Sequence, residues 1–233
     1  MDASAYALTH GIRRTRAALD RWSRDPAEIL RPWLLGAFAA AAGLLSAVWV
    51  IGALTRGAGT VELSRPPFQT GNLGDAERIL LHNSLVLALH AMACVAGFIA
   101  GSSLPLQASA QRSRFLRAVH EHGGRLAILF VAGATTFSLS VQALVLGQAV
   151  GRVSFALGTS PGWLLLALLP HALPELMSLF LPLAAWILAS LAGRWEDLLA
   201  ATGVTVALAV PTLIVCSLWE TYVAPHVLRL VVG

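Results

Sequence analysis

Charged residues are scarce in this chain. Of its 233 residues, 12% are charged and 57% are hydrophobic, and the mean hydropathy is +0.72. A soluble domain carries about 25% charged residues, so the composition excludes an ordinary soluble globular domain. The apolar runs are continuous rather than alternating, which excludes an outer-membrane barrel and predicts an all-α membrane protein.

Lysine is absent, and cysteine occurs only twice. All 16 basic residues are arginines that cluster beside apolar runs, where they orient helices, so the pI near 10.0 does not indicate nucleic-acid binding. Cys94 and Cys216 belong to no CxxC pair, which predicts no thiol metal site and no redox motif. The first thirty residues lack the short apolar run and cleavage site of a signal peptide.

Five segments are long and apolar enough to cross a bilayer, which takes about 20 residues. They cover residues 33–54, 79–102, 126–150, 162–191 and 199–223. We therefore predict a polytopic bundle of five transmembrane helices over 33–233, preceded by a basic arm over 1–32. This arm and the loops after the second and fourth spans together hold eleven arginines, against five on the opposite side. The positive-inside rule then predicts a multi-pass protein of the cytoplasmic membrane with a cytoplasmic N-terminus.

The basic arm is predicted to form an amphipathic helix that lies on the inner leaflet. Asp25 is expected to cap the approach to the first span, and Pro26 suits the first helical position. Six arginines of the arm and of the loop after the second span are expected at lipid headgroups: Arg13, Arg14, Arg16, Arg112, Arg114 and Arg117.

A histidine and a carboxylate lie one helical turn apart within the fourth apolar run. His171 and Glu175 have i, i+4 spacing, which places both side chains on one face of a helix. Lipid solvates neither group, so the pair indicates a functional site or a buried polar network. Prolines remove backbone donors, and we expect a kink or break of this helix at Pro170, Pro174 and Pro182.

Other polar residues within the spans are predicted to join this intramembrane cluster. They are Asn83, Glu220, His82, His90 and Gln142. Asn83 is expected to form a hydrogen bond between helices, and Gln142 to find a partner. For His82 we favour hydration at the membrane surface. For His90 and for Glu220, two interpretations stay open: the side chain faces the interior of the bundle, or it faces water.

Histidine and carboxylate are also zinc ligands, and catalytic zinc sites commonly use three protein ligands. The H-E-x-x-H pattern is absent, and Glu175 stands where a second histidine would be needed. We therefore predict no metal and no cofactor, although a proton relay or ion passage through the same residues stays open.

Three features of the chain resemble the stage II sporulation protein M family of polytopic membrane proteins, over about residues 77–226. The second span, Ile79-Leu-Leu-His-Asn-Ser-Leu, resembles a helix that starts with Asn-Asn in the family, with His82 and Asn83 here and Gly97 and Gly101 following. Leu169-Pro-His-Ala-Leu-Pro-Glu175 resembles the family's Pro-His-Gly-x-x-Glu signature, with Ala172 in place of glycine. The last span ends in Glu220 and, shortly after, Pro225.

Two departures from the family pattern suggest a divergent subfamily. The family's Asn-Gly in the middle helix is not evident, and Gln142-Ala143 ahead of Leu146-Gly147 is its nearest counterpart. The arginine-rich loop over 105–124 is also longer than usual. The resemblance implies a membrane scaffold without demonstrated catalysis, like the member that recruits peptidoglycan-degrading enzymes. It does not imply sporulation, since the family is distributed more widely than spore formation.

We therefore expect a non-enzymatic scaffold or accessory subunit of a cell-envelope complex. One alternative is a transporter, channel, or export or immunity component that uses the His171 and Glu175 cluster. A second alternative is an intramembrane metalloenzyme, which requires three converging ligands. The expected partners are the lipid bilayer and other membrane or cell-envelope proteins, and small-residue helix faces are compatible with a homodimer.

Overall fold

The regular structure of this chain is helical in every part that the structure describes. The computed structural model describes residues 3–58, 68–99 and 123–232, and no strand occurs within these ranges. A 3₁₀ turn, η1, covers Trp195–Asp197. The α-helices are α1 (Ala3–Trp22), α2 (Pro26–Leu54), α3 (Leu73–Phe98), α4 (Gly123–Ala156), α5 (Pro161–Leu191), α6 (Leu198–Tyr222) and α7 (Ala224–Val232).

Five helical segments are long and apolar enough to cross a membrane. They are Pro26–Leu54, Leu73–Phe98, Ile128–Ala156, Pro161–Leu191 and Trp195–Tyr222. The predicted all-α fold with five spans is therefore confirmed, and the chain is a multi-pass membrane protein. The orientation across the membrane stays a prediction. Gly101 and most of the arginine-rich loop over 105–124 lie outside the described residues.

Two helices begin earlier than their apolar runs predict. α2 begins at Pro26 rather than at residue 33, and the Glu28 amide donates to Asp25 Oδ1 at 3.3 Å, so the predicted cap is confirmed. α3 begins at Leu73 rather than at residue 79. Asn72 and Asp75 cap it reciprocally: the Asn72 amide donates to Asp75 Oδ2 at 3.0 Å, and the Asp75 amide donates to Asn72 Oδ1 at 3.2 Å. Caps of this kind satisfy the free N–H groups of a first turn before any apolar residue is reached.

The chain divides into two compact units. Each of the five long helices contributes one segment to each unit. The first unit comprises Met1–Ala37, Val86–Ala134 and Leu179–Ala209, and the second comprises Phe38–Leu85, Thr135–Ser178 and Val210–Gly233. α1 and η1 belong to the first unit, and α7 belongs to the second.

The first unit is built around the indole of Trp186. This side chain is 1% exposed and packs in a core with Cys94, Leu183, Ala189 and Leu198. A Cβ atom at Gly97 would collide with the Trp186 indole. The glycine therefore lets α3 approach α5 closely, which is the role that small residues have between membrane helices.

α1 packs against η1 within the first unit. Arg14 Nη1 lies 2.8 Å from Glu196 Oε2, and Arg21 Nη2 lies 2.8 Å from Asp197 Oδ1. The edge of Trp22 also meets Trp33 of α2, with ring centroids 5.4 Å apart. These contacts place the N-terminal helix and the turn after the fourth span at the same end of the first unit, as the predicted alternation of loops requires.

In the second unit α2 and α4 pack with almost no space between their backbones. A Cβ atom at Gly147 would lie 2.6 Å from Ile51 Cβ, and one at Gly151 would lie 2.8 Å from the Gly52 carbonyl oxygen. Gly147 and Gly151 form a G-x-x-x-G pair, the spacing that brings two helix axes closest.

α7 covers the end of the second unit. Leu228 is 9% exposed and packs against Leu164 and Ala167 of α5. Arg229 Nη2 donates to the Phe68 carbonyl oxygen at 3.1 Å and lies over the Phe68 ring. The sequence prediction ended its last helix at residue 223 and did not include α7.

Candidate functional site

The polar residues of the second unit meet at one hydrogen bond between α3 and α5. Asn83 Nδ2 donates to Glu175 Oε1 at 2.7 Å. Asn83 is 7% exposed, and Glu175 is half-buried. The predicted interhelical hydrogen bond of Asn83 is therefore confirmed, and the Glu175 carboxyl is its acceptor.

Glu175 lines a cavity of about 220 Å³ together with His171 and Glu220. The i, i+4 spacing puts His171 and Glu175 on the same face of α5, as predicted. Glu220 reaches the cavity from α6, which corresponds to the inward interpretation of this residue. The remaining wall is apolar, apart from backbone atoms: Leu44, Leu45, Val48, Leu146, Val150, Leu165, Leu168, Ala172 and Leu176.

The imidazole of His171 has an unsatisfied nitrogen at this cavity. His171 is 5% exposed, and its Nδ1 has no hydrogen-bond partner among the described residues. A buried polar atom without a partner costs about 1–3 kcal/mol. Such an atom in a cavity wall is therefore a place where a polar ligand or water gains binding energy.

Glu220 also lines a second recess near the starts of α3 and α7. This groove, of about 240 Å³, is formed by Gln69, Gly71, Asp75, Arg78, Ile79, Glu220, Thr221 and Pro225. Arg78 Nη2 lies 2.8 Å from Asp75 Oδ1, and the Gly71 amide donates to the Thr221 carbonyl oxygen at 3.1 Å. Glu220 is therefore shared by the groove and by the cavity of Glu175.

The sequence did not identify Asp75 and Arg78 as site residues. Both precede residue 79, where the apolar run of the second span begins, so hydropathy alone predicts a loop at these positions. The signal that identifies them is local: an asparagine at 72 followed three residues later by an aspartate is a capping pattern, and it extends the helix toward the groove.

The two remaining histidines of the predicted cluster do not line the cavity. His82 is exposed, in agreement with the surface interpretation. His90 belongs to the first unit, where its Nδ1 lies 2.7 Å from the Leu179 carbonyl oxygen and its ring lies 6.0 Å from that of Phe180. His90 therefore contributes to the packing of α3 on α5 in that unit.

α5 runs through its three internal prolines as one helix, so none of them breaks it; the predicted kink stays a prediction. Side chains satisfy backbone carbonyls around Pro182 in the first unit. Cys94 Sγ donates to the Pro182 carbonyl oxygen at 3.3 Å, and the Leu179 carbonyl is paired with His90. These two bonds are contacts of α3 with backbone carbonyls of α5, in addition to the carbonyl of Ser178 that Pro182 leaves without an amide donor. Pro170 is exposed, and Pro174 is half-buried.

Gln142 lies on α4 and does not line the cavity of Glu175. Its Nε2 donates to Ser138 Oγ, one turn earlier on the same helix, at 3.3 Å. Ser138 is exposed and Gln142 is half-buried. The structure therefore separates Gln142 from the other cluster residues of the second unit.

The arginines predicted at lipid headgroups divide into two groups. Arg13, Arg14 and Arg16 are exposed on α1, and Arg14 forms its ion pair with Glu196. The other three, Arg112, Arg114 and Arg117, lie outside the described residues. Contact of these arginines with lipid stays a prediction.

A metal site has no geometric support in the described part of the chain. No group of three His, Cys, Asp or Glu side chains converges there closely enough to hold a metal ion.

No protein-family model, no curated protein and no solved structure matches this chain. The resemblance to the stage II sporulation protein M family stays a prediction carried by the residues quoted above.

Proposed function

We propose that this integral membrane protein is a non-enzymatic accessory or scaffold subunit of a cell-envelope complex in the cytoplasmic membrane. In this proposal, α4 binds a membrane-spanning helix of another protein. The observation that carries the proposal is a strip of polar side chains on α4, formed by the exposed Ser138 and the half-buried Thr135 and Gln142 and named here the polar strip.

The polar strip is costly in a lipid environment. Its members have i, i+3, i+7 spacing and so lie on one face of the helix. An amide side chain has two N–H donors and an acceptor oxygen, and Gln142 satisfies one donor through Ser138. Hydrocarbon offers no partner for the rest, whereas a polar group on a second helix does.

The polar strip faces away from the helix that already packs on α4. Successive residues of a helix turn by about 100°, which places Gln142 roughly opposite Gly151. The Gly151 face is closed by α2. The strip is therefore available to a partner that approaches α4 from the other side.

Site-specific photo-crosslinking tests this proposal. A photoreactive amino acid replaces Ser138 in the polar strip or, as the control, Leu89, a 67% exposed apolar residue of α3. We expect a discrete adduct with another membrane protein from position 138 that Gln142→Leu suppresses, and none from position 89. Identical adducts from both positions, or an adduct only with a second copy of this chain, would contradict the proposal.

A second candidate function, passage of a small ion, is supported by the cavity that Glu175 and Glu220 share. Acidic groups inside a membrane bundle commonly mark ion pathways. The test is ion flux into liposomes that contain the purified protein. Flux above that of protein-free liposomes, and its loss in Glu175→Gln, would favour this candidate over a scaffold.

A further inference from the structure

We propose that Glu175 and Glu220 bind one proton between them inside the membrane, and that this proton exchanges with water through the groove that contains Asp75. This inference goes beyond the scaffold function. Proton binding at these residues requires neither a partner protein nor net transport. A test of it can therefore fail or succeed independently of the scaffold function and of ion passage.

The size of the cavity limits its occupant. A volume of about 220 Å³ holds roughly seven water molecules at about 30 Å³ each. Pockets for drug-sized organic ligands are larger, at about 300–1,000 Å³. The cavity therefore suits a few water molecules and a proton.

The unpartnered Nδ1 of His171 is an observation independent of the two carboxyls. This ring is 5% exposed and lines the cavity, and its Nδ1 has no partner among the described residues. The ring therefore brings a polar atom that lacks a partner to the wall of the space that the two carboxyls share. An apolar occupant would leave the atom unsatisfied.

The two carboxyls make the cavity selective for positive charge. Both carboxyls line the same cavity, and two negative charges in one apolar cavity cost more free energy than one. A shared proton removes one of those charges. Asn83 already donates to one Glu175 oxygen, which holds this carboxyl in place for the exchange.

Three of the helices around the carboxyls contribute polar or titratable side chains. α5 contributes His171, α3 contributes Asn83, and α6 contributes the buried Cys216, which lies one turn before Glu220 on the same helix face. The side chains of α2 and α4 at the cavity are apolar. Among the described residues, no arginine lines this cavity to neutralise the pair in place of a proton.

The groove that contains Asp75 is the proposed route by which the proton exchanges with water. Glu220 lines both spaces, and Asp75 with Arg78 stands in the groove beside it. Three acidic side chains follow one another along this route, first Asp75, then Glu220 and then Glu175. They favour a cation over an anion. Since α3 begins two residues before Asp75, the groove lies at the end of the second span, near the membrane surface.

Carbodiimide labelling of the purified protein in detergent tests the site. A hydrophobic carbodiimide forms a stable adduct with a carboxylic acid only when that acid carries a proton, and peptide mass spectrometry locates the adduct. We expect adducts at Glu175 or Glu220 in the wild-type protein, with labelling that falls as the pH is raised. Glu175→Gln and Glu220→Gln should each reduce the total several-fold, and Glu77→Gln, which changes an exposed acid of α3, should leave it unchanged.

Two outcomes would overturn the proton site. One is wild-type protein that is folded, by its elution in size-exclusion chromatography, yet unlabelled at both glutamates over the whole pH series. The other is protection by sodium but not by choline at equal ionic strength, which would assign the cavity to a metal cation.

A water-soluble carbodiimide tests the route separately. Ile79 lines the groove but not the cavity, so Ile79→Trp narrows the entrance and leaves the carboxyls unchanged. We expect labelling of Glu175 to slow several-fold in this variant and to keep its rate in Leu89→Trp, an exposed position outside the groove. Equal rates in wild type and Ile79→Trp would refute the route.

Discussion

Asn83 Nδ2 donates to Glu175 Oε1 at 2.7 Å, across 92 positions of the chain. The contact joins α3 to α5 inside the second unit, where the neighbouring side chains at the cavity are mostly apolar. Among apolar neighbours the two side chains have few alternative hydrogen-bond partners. The contact therefore favours one packing of the two helices. The same carboxyl borders the proposed proton site, so helix packing and proton binding depend on one residue.

Loss of the Asn83 amide should destabilise the protein. Asn83→Leu leaves the Glu175 carboxyl without its donor, and an unsatisfied buried acceptor costs about 1–3 kcal/mol. We expect a lower melting temperature in detergent by scanning fluorimetry. His82→Gln is the matched control, because His82 is the exposed neighbour and its change should have no effect. Equal melting temperatures for the two variants would refute the structural role of Asn83.

Alanine at two glycines of α4 should have opposite effects. Gly147→Ala places a Cβ atom 2.6 Å from Ile51 Cβ, whereas a Cβ at Gly133 meets nothing within 4 Å. Overpacking costs about 1–3 kcal/mol, and alanine in an open helical position gains up to about 1 kcal/mol. Thermal unfolding of both variants measures the difference. A stabilising Gly147→Ala would show that α2 and α4 do not pack this closely.

Gly97 and Trp186 should be energetically coupled. Gly97→Ala collides with the indole of Trp186, which is 1% exposed and has no room to move away. The smaller ring of Trp186→Phe should relieve the clash, so that the double variant is more stable than the sum of the single changes implies. Double-mutant cycles give this coupling directly, with about 0.5–3 kcal/mol typical of residues in contact. Strict additivity would contradict the contact.

The ion pairs of α1 predict a topology. Since Arg14 and Arg21 contact Glu196 and Asp197, the N-terminus and the turn after the fourth span must lie on the same side of the membrane. Arginine distribution predicts that this side is the cytoplasm. Reporter fusions at the N-terminus and at Gly193 should be active only as cytoplasmic reporters, and fusions at Gly57 and at the C-terminus only as external ones. A reporter at Gly193 on the side opposite to the N-terminus would exclude the α1 contacts.

The spans, the cap of α2 and the shared face of His171 and Glu175 could be predicted because their signals are local. A run of about 20 apolar residues has one low-energy solution in a bilayer, an α-helix, whatever its neighbours are. The Asp25-Pro26 cap is likewise a property of two adjacent residues. The i, i+4 spacing of His171 and Glu175 is sufficient to place them on one helix face.

The grouping of His90 with the acidic residues could not be judged from spacing alone. His90 follows Asn83 by seven residues on α3, which puts it on nearly the same face but about 10 Å further along the axis. It therefore meets the Leu179 carbonyl in the first unit. The spacing of residues predicts which side chains share one face of a helix. The residue that each of them contacts on a neighbouring helix depends on how the two helices are aligned along their axes.

Gly147, Gly151 and α7 were missed for a related reason. Small residues are frequent in every span of this chain, so G-x-x-x-G spacing becomes informative only when Ile51 and Gly52 are seen opposite it. α7 is nine residues long, too short for a span, and its apolar residues gain their burial from Leu164 and Ala167. Such tertiary partners are not visible in a single local pattern.

The most direct test of the proposed function is co-purification of the tagged protein from its own membranes in mild detergent. Wild type, Gln142→Leu and Leu144→Val are compared by quantitative mass spectrometry, the last as a control for an apolar change on the same helix. The account predicts a membrane or cell-envelope protein in a fixed ratio with wild type and Leu144→Val, and its depletion in Gln142→Leu. Recovery of the chain alone, or equal recovery of the partner with Gln142→Leu, would contradict assembly through the polar strip of α4.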